Sequence, residues 1–227
     1  MTALAAVSPG HCGLSPALRR TIAAHRQWIQ TNGQAGERAE LRDCDLRDLD
    51  LTGVELSGAD LSGADLRGAC LNRSRFRLAT LRGAHLDGAS IDAACFDGAN
   101  LDRAVFDRAR VTGTRFDPIE LVRSDGSTVK SEVTVRLVGV RFRKAVLTSS
   151  SFRNADLRSV KFDQTELADC DFEGAYLEPA ARDKAMASMC RTSAVATASP
   201  IEAASLAAFY AGVGLRRLHG EIRDQQP

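Results

Sequence analysis

Residues 39 to 48 read Ala39-Glu40-Leu41-Arg42-Asp43 and then Cys44-Asp45-Leu46-Arg47-Asp48, which are two copies of one five-residue unit. The unit continues through Ile119-Glu120-Leu121, and its third residue, which we call the centre, is always Leu, Phe, Ile or Val. The residue two places before each centre is small or apolar, most often Ala. Neither the 3.6-residue period of a helix nor the two-residue period of a strand predicts this spacing. The pattern therefore indicates a repetitive fold rather than an ordinary mixture of helices and strands.

A second run of units follows the first in a shifted register. The first run has seventeen centres and the second has nine, and such an unbroken series of apolar residues excludes chance. The centres of the first run are Leu41, Leu46, Leu51, Leu56, Leu61, Leu66, Leu71, Phe76, Leu81, Leu86, Ile91, Phe96, Leu101, Phe106, Val111, Phe116 and Leu121. Those of the second run are Leu137, Phe142, Leu147, Phe152, Leu157, Phe162, Leu167, Phe172 and Leu177.

The unit A-(D/N)-L-x-x resembles that of the pentapeptide-repeat proteins. The resemblance covers residues 39–121 and 135–179. It implies an all-β solenoid, a right-handed quadrilateral β-helix in which four units make one coil. The centre and the small residue would point inward and the other three residues outward. We expect N- and C-terminal α-helices at the two ends of this rod.

Four units per coil would place residues twenty apart in one column, and the sequence allows that to be checked. Phe76, Phe96 and Phe116 form one such column. In the second run Phe142 pairs with Phe162 in the same way. Like side chains stack without leaving gaps in a close-packed interior. Phe106, which would stack on Leu86, is an exception, but the columns favour the coil.

The segment before the repeats divides into a flexible tail, residues 1–14, and an N-terminal capping helix, residues 15–33. Ser15 suits the N-cap and Pro16 the first helical position. Leu18, Ile22, His25 and Ile29 fall on one helical face, which would cover the open end of the first coil. We interpret His25 as a packed histidine rather than a catalytic base.

Two segments outside the repeats are candidates for partner contacts. Residues 122–134 break the period and are predicted to form a hairpin or loop with an Asp-Gly turn, which is either a partner-binding loop or a tolerated insertion. The candidate residues of that loop are Arg123, Asp125, Gly126 and Lys130. Residues 180–227 are predicted to be a C-terminal helical cap or dimerisation segment. Their candidate face is Leu206, Phe209, Tyr210 and Val213, which would either cap the rod or form a homodimer through the C-terminal helix.

Composition excludes several classes of function. Charges nearly cancel, at 30 basic against 29 acidic residues, so direct nucleic-acid binding and attraction to a membrane are not expected. The six cysteines suggest no disulfide framework, and no apolar run is long enough for a transmembrane helix. We expect a cytoplasmic protein without metal or cofactor. No catalytic or phosphate-binding motif is present, so we predict that it is not an enzyme.

The charge pattern leaves two functional hypotheses. Residues 39–70 carry eight acidic against three basic residues, and their candidate acidic face is Asp45, Asp50, Glu55, Asp60 and Asp65. The first hypothesis is a non-catalytic interaction or scaffold module that presents the rod to an unidentified protein partner. The second follows from the resemblance, because some pentapeptide-repeat proteins mimic DNA, bind DNA gyrase and protect it from quinolones or toxins. That mechanism needs a sustained acidic face, whereas clusters of Arg interrupt the acidic stretches here.

Overall fold

The computed structural model describes residues 14–122 and 128–192, in which a helix leads into a stack of coils. The helices are α1 (Pro16–Gln30) and α2 (Pro179–Ala187). The strands are β1 (Ser90–Asp92), β2 (Arg110–Thr112), β3 (Ile119–Val122), β4 (Thr128–Val133), β5 (Val146–Thr148), β6 (Glu166–Ala168), β7 (Asp171–Phe172) and β8 (Arg191–Thr192). Strands β1, β2, β5 and β6 form one parallel sheet in that order.

Each coil of the first run takes twenty residues. Asp45 forms a parallel bridge with Asp65, and Asp65 forms the next one with His85. Leu46 N donates to Asp65 O at 2.8 Å, and Asp65 N donates to Cys44 O at 2.9 Å. The same step recurs at all four units of the coil, so the rod has four faces and every coil is hydrogen-bonded to the next.

One row of centres runs inside each face, and every centre in these rows is at most 8% exposed. The rows follow from the parallel pairing of successive coils. Face 1 carries Leu41, Leu61, Leu81, Leu101, Leu137, Leu157 and Leu177. Face 2 carries Leu46, Leu66, Leu86, Phe106, Phe142 and Phe162. Face 3 carries Leu51, Leu71, Ile91, Val111, Leu147 and Leu167. Face 4 carries Leu56, Phe76, Phe96, Phe116, Phe152 and Phe172.

The phenylalanine columns predicted from the sequence are present. On face 4 the rings of Phe76 and Phe96 stack at 4.9 Å, and those of Phe96 and Phe116 at 5.1 Å. On face 2 the row of centres changes from leucine to phenylalanine at Phe106, whose ring lies 5.0 Å from that of Phe142. The apparent exception at Phe106 is therefore the start of a second aromatic column.

Sixteen residues are inserted into one coil between faces 4 and 1. Across this coil the pairing step is 36 residues instead of twenty, as in the bridge between Asn100 and Arg136. The insertion forms an antiparallel hairpin of β3 and β4, with Ile119 opposite Val133. The ring of Phe116 stacks on that of Phe152 at 4.7 Å, so the interior column continues past the hairpin.

This arrangement corrects the end of the first run. Leu121 was expected to be a centre stacked on Leu101, but it belongs to β3 in the hairpin. Leu101 N donates instead to Arg136 O at 2.7 Å, which places Leu137 in the row. The coil has room for one segment at this position, and Leu137 occupies it, while Ile119 pairs with Val133 in the hairpin and its side chain lies beside Gly98.

The corners of the coil require left-handed backbone. Gly53, two residues after a centre, has a φ of 67°, a conformation that glycine adopts without a steric penalty. Many corners carry other residues in the same conformation, including Arg108 at 61° and Lys144 at 58°. The acid before the centre supports the same turn, since Asp50 Oδ1 accepts a hydrogen bond from Thr52 N at 3.0 Å. The acid or amide of the unit thus stabilises the turn at the corner of the coil.

The two helices cover the ends of the stack. In α1, Ser15 Oγ accepts from Leu18 N at 3.2 Å, and Leu18 belongs to the same buried cluster as the first centres. The buried residues of α1 are those of the predicted face: Leu18, Ile22, His25 and Ile29. At the other end Ala181 and Ala185 of α2 join the buried cluster, and Lys184 Nζ donates to Phe162 O at 2.7 Å. Helix thus ends at Ala187, and β8 then extends the stack by pairing with β7.

Candidate functional site

The predicted acidic residues do not share one face. Asp45 and Asp65 pair on face 2, whereas Asp60 pairs with Thr80 on face 1. Asp50 lies on face 3 and Glu55 on face 4. Each successive unit turns one corner of the coil, so acids that are neighbours in the sequence point in different directions. A count along the sequence could not show this, because it does not separate the four faces.

Most of these carboxylates are also paired with arginines. Arg47 Nη2 lies 2.6 Å from Asp45 Oδ2, and the hydrogen bond from Arg47 lowers the pKa of Asp45 to about 2. Arg67 holds Asp65 in the same way at 2.5 Å and lowers its pKa. Burial raises the pKa of Asp60, but hydrogen bonds from neighbouring residues outweigh it and the net shift is downward. Asp45, Asp60 and Asp65 therefore remain ionised at neutral pH, and adjacent guanidinium groups balance much of their charge.

A second set of aspartates, which sequence reasoning missed, ties successive coils together. Asp102 Oδ1 accepts a hydrogen bond from Val138 N at 3.2 Å, and Asp102 Oδ2 accepts from Arg136 Nη2 at 2.7 Å. Asp97 likewise accepts a hydrogen bond from Asp117 N and forms an ion pair with Arg115. The sequence signal is an Asp just after one centre, with a residue just before the centre of the next coil that can donate to it, which is Arg for three members and Ser151 for Asp117. The members of this set are Asp97, Asp102, Asp107 and Asp117.

A cluster of basic residues lies on the edge where faces 2 and 3 meet. Arg110 pairs with Val146 in the register of β2 and β5, and the same register puts Lys144 above Arg108. We call Arg108, Arg110, Arg143 and Lys144 the basic edge. All four are exposed, and none forms an ion pair with a carboxylate of the described chain. The cluster is not apparent in the sequence because a 36-residue step separates its two halves.

The hairpin leaves the rod at the opposite edge, between faces 4 and 1. Its base is held by Ile119, which is 8% exposed and flanks Gly98. Of the predicted loop residues, Lys130 lies in β4, while Arg123, Asp125 and Gly126 lie outside the described residues. The predicted C-terminal face of Leu206, Phe209, Tyr210 and Val213 also lies outside them.

His25 joins α1 to the first coil. Its side chain is fully buried, its Nδ1 accepts a hydrogen bond from Ala39 N at 3.0 Å, and its ring stacks on Trp28 at 5.4 Å. Burial lowers the pKa of His25 to about 4, so the imidazole is neutral in the folded protein at neutral pH. These contacts agree with a packed histidine that fixes the cap.

Cysteine and metal chemistry find little support in the part of the chain that the structure describes. Cys170 and Cys190 are buried in adjacent coils, and burial raises the pKa of the Cys170 thiol to about 11. A thiol with so high a pKa is a poor nucleophile at neutral pH.

Within residues 14–122 and 128–192 no three His, Cys, Asp or Glu side chains come together as a metal site. The helices of these segments include none that is long and apolar enough to cross a membrane.

Comparison with known proteins identifies the family. The sequence matches the family model for pentapeptide repeats in eight copies, over residues 39–77, 59–101, 84–117 and 136–174. The chain belongs to the pentapeptide-repeat family. Its fold is therefore the family's right-handed quadrilateral β-helix, as the repeat predicted. No curated protein sequence matches it significantly.

Solved structures of other pentapeptide-repeat proteins are similar to this chain. HetL, which is involved in heterocyst differentiation regulation in the cyanobacterium Nostoc sp. strain PCC 7120, is 23% identical, with 72% of this chain and 70% of HetL covered and a TM-score of 0.36. QnrB1, a plasmid-mediated fluoroquinolone resistance protein, is 15% identical over 63% of this chain and 79% of its own, at 0.33. Rfr23 from the cyanobacterium Cyanothece 51142 is 14% identical over 69% and 98%, at 0.31. The family assignment rests on the repeat match and not on these scores.

Proposed function

We propose that this pentapeptide-repeat protein is a non-catalytic interaction module that presents the outer faces of its rod to a protein partner. The observation that carries the proposal is the filled interior, in which every row of centres is at most 8% exposed. Enzymes and small-molecule receptors need a concave site. The outer faces of the described rod carry charged side chains instead, several of them held in place by ion pairs between coils.

Binding to DNA gyrase as a DNA mimic is the alternative that the family suggests. Such a mimic needs a row of uncompensated negative charge, because the enzyme's DNA channel selects for phosphate-like charge. Here the acids are spread over four faces and most are paired with arginines, which favours the general interaction module. A supercoiling assay with and without a quinolone separates the two. Inhibition of supercoiling, or relief of the drug, would favour the gyrase alternative.

A photo-crosslinking experiment tests the interaction proposal. A photoreactive amino acid replaces one exposed residue on each face of the full chain, at Arg82, His85, Thr112 or Arg153. In lysate of the source organism, we expect one or two adjacent faces to crosslink a discrete protein and the remaining faces to serve as controls. The absence of any face-specific product at all four positions would contradict the proposal.

The hairpin and the C-terminal segment belong to the same proposal. We infer that the loop with Arg123, Asp125, Gly126 and Lys130 adds to the partner surface. We also infer that the face of Leu206, Phe209, Tyr210 and Val213 forms a homodimer. Light scattering on the full chain and on a variant that ends at residue 192 tests the second inference. A monomer mass for the full chain would contradict it.

A further inference from the structure

The four side chains of the basic edge form no ion pair within the described residues, and the nearby carboxylate of Asp107 is paired with Arg141 while it accepts a hydrogen bond from Arg143 N at 3.1 Å. Lys144 lies directly above Arg108, and stacked like charges repel each other across a strand spacing of about 4.8 Å. On the lower coils of face 2 the stacked Asp45 and Asp65 are bridged by Arg47, which lies 3.6 Å from Asp65. The basic edge has no equivalent bridge among the described residues, so an anion from outside would relieve its repulsion.

The backbone at this edge makes glycine the sterically easiest residue at two of the four positions. Arg108 and Lys144 occupy corners with φ near 60°, where a residue with a Cβ is strained. In the same column Gly68 and Gly88 adopt this conformation freely, whereas Asp48 and Gln164 adopt it at φ of 57° and 55°. Glycine would therefore suit the coil better at both positions. Within the described residues the side chains of Arg108 and Lys144 form no hydrogen bond or ion pair that would offset the strain.

The surroundings indicate which kind of anion fits. An extended polyanion lying along face 2 would meet Asp45, Asp65 and Asp87 on the lower coils, and the chain as a whole carries a net charge of only +1. The edge itself spans two adjacent coils, which suits a short segment. Val146, above Arg110, is 37% exposed and offers an apolar contact next to the charges. These features favour a protein segment over a nucleic acid, whose affinity depends on many phosphate contacts.

We propose that the basic edge binds a short acidic segment of the partner protein, with Arg108, Arg143 and Lys144 contacting its carboxylates. The inference rests on the proposed interaction function and names the chemistry of the partner. Arg110 and Val146 form the side of the site on face 3. Because the hairpin leaves the rod at the opposite edge, this site is separate from the predicted partner loop.

The matched variants replace cations at left-handed corners by the glycine that the corner prefers. R108G/K144G removes two charges from the basic edge. R73G/R103G removes two charges from corners with the same backbone, φ of 58° and 60°, elsewhere on the rod. Both variants are expected to fold, with melting temperatures at or above that of the wild type, since each change relieves strain. Loss of binding by R108G/K144G would then not reflect unfolding.

The probe is a fluorescein-labelled oligoglutamate peptide, compared with oligoglutamine and with a single-stranded oligonucleotide of similar charge. At low salt the peptide is expected to bind the wild type and R73G/R103G equally and R108G/K144G about tenfold more weakly, since two charge contacts are lost. Equal binding to all three proteins, no binding to the wild type, or tighter binding of the oligonucleotide would overturn the proposal. The crosslinking experiment distinguishes failure of this site from failure of the interaction function. A partner captured only on face 1 or 4 would support the interaction function and refute binding at the basic edge.

Discussion

Replacement of Phe116 by alanine tests the claim that the interior is continuous across the hairpin. The ring is fully buried and stacks on Phe96 below at 5.1 Å and on Phe152 above at 4.7 Å. Truncation of a buried phenylalanine costs about 3–5 kcal/mol. About 0.5–1.5 kcal/mol of coupling is expected for each stacked pair. We therefore expect F116A to lower the free energy of unfolding by about 4 kcal/mol.

Urea denaturation followed by circular dichroism measures this loss. F116L is the matched control, since leucine is the commonest centre, and it should cost only about 1–2 kcal/mol. The double variant F116A/F152A should lose less than the sum of the single variants, by about 1 kcal/mol, if the two rings are in contact. A loss below about 1.5 kcal/mol for F116A, or strict additivity with F152A, would refute a stacked column that passes the hairpin.

Three further predictions concern the cap, the corners and the ties between coils. Burial holds the pKa of His25 near 4, below its unfolded value of 6.5, so the unfolded chain binds more protons between these pH values. The free energy of unfolding should therefore fall by about 2 kcal/mol from pH 7 to pH 5 in urea titrations. The H25Q variant should lose that part of the pH dependence. In the same assay G36A should lower the free energy of unfolding by more than about 3 kcal/mol, since a Cβ at Gly36 would lie 2.2 Å from a backbone oxygen of α1. G53A should lower it by about 1 kcal/mol, since a Cβ at Gly53 meets nothing within 4 Å. Equal losses would contradict the close packing of α1 against the chain at Gly36. D97A should lower the melting temperature clearly and D45A hardly at all, because the side chain of Asp97 is 5% exposed and that of Asp45 is 32% exposed. The reverse order would contradict the role of Asp97 in joining successive coils.

The sequence predicted the coil well because its signal is local and repeated. The centres, the column of Phe76, Phe96 and Phe116, and the glycine corners each follow from steric needs that recur every five or twenty residues. The exit point of the hairpin could not be predicted in the same way. Ile119-Glu120-Leu121 fits the unit as well as Val135-Arg136-Leu137 does, so the repeat pattern alone does not decide which of the two segments enters the coil.

The outer surface was harder to predict than the interior. The candidate acidic residues looked like one group because they are close in sequence, whereas the coil turns a corner between each of them. Conversely, the basic edge looked dispersed because Arg108 and Lys144 are 36 residues apart. Pairing of Asp45 with Arg47 depends on side-chain geometry, which the repeat pattern does not specify.

Deletion of residues 119–134 tests the central claim, a single β-helix with a hairpin inserted into one coil, most directly. The deletion joins Pro118 to Val135 and leaves Leu137 five residues after Phe116, so the period of the repeat is restored. We predict a protein that unfolds in one cooperative transition and loses at most about 2 kcal/mol, the share of Ile119 burial. In its crystal structure Phe116 should still stack on Phe152. A variant that fails to fold, or that unfolds in two separate transitions, would contradict the account.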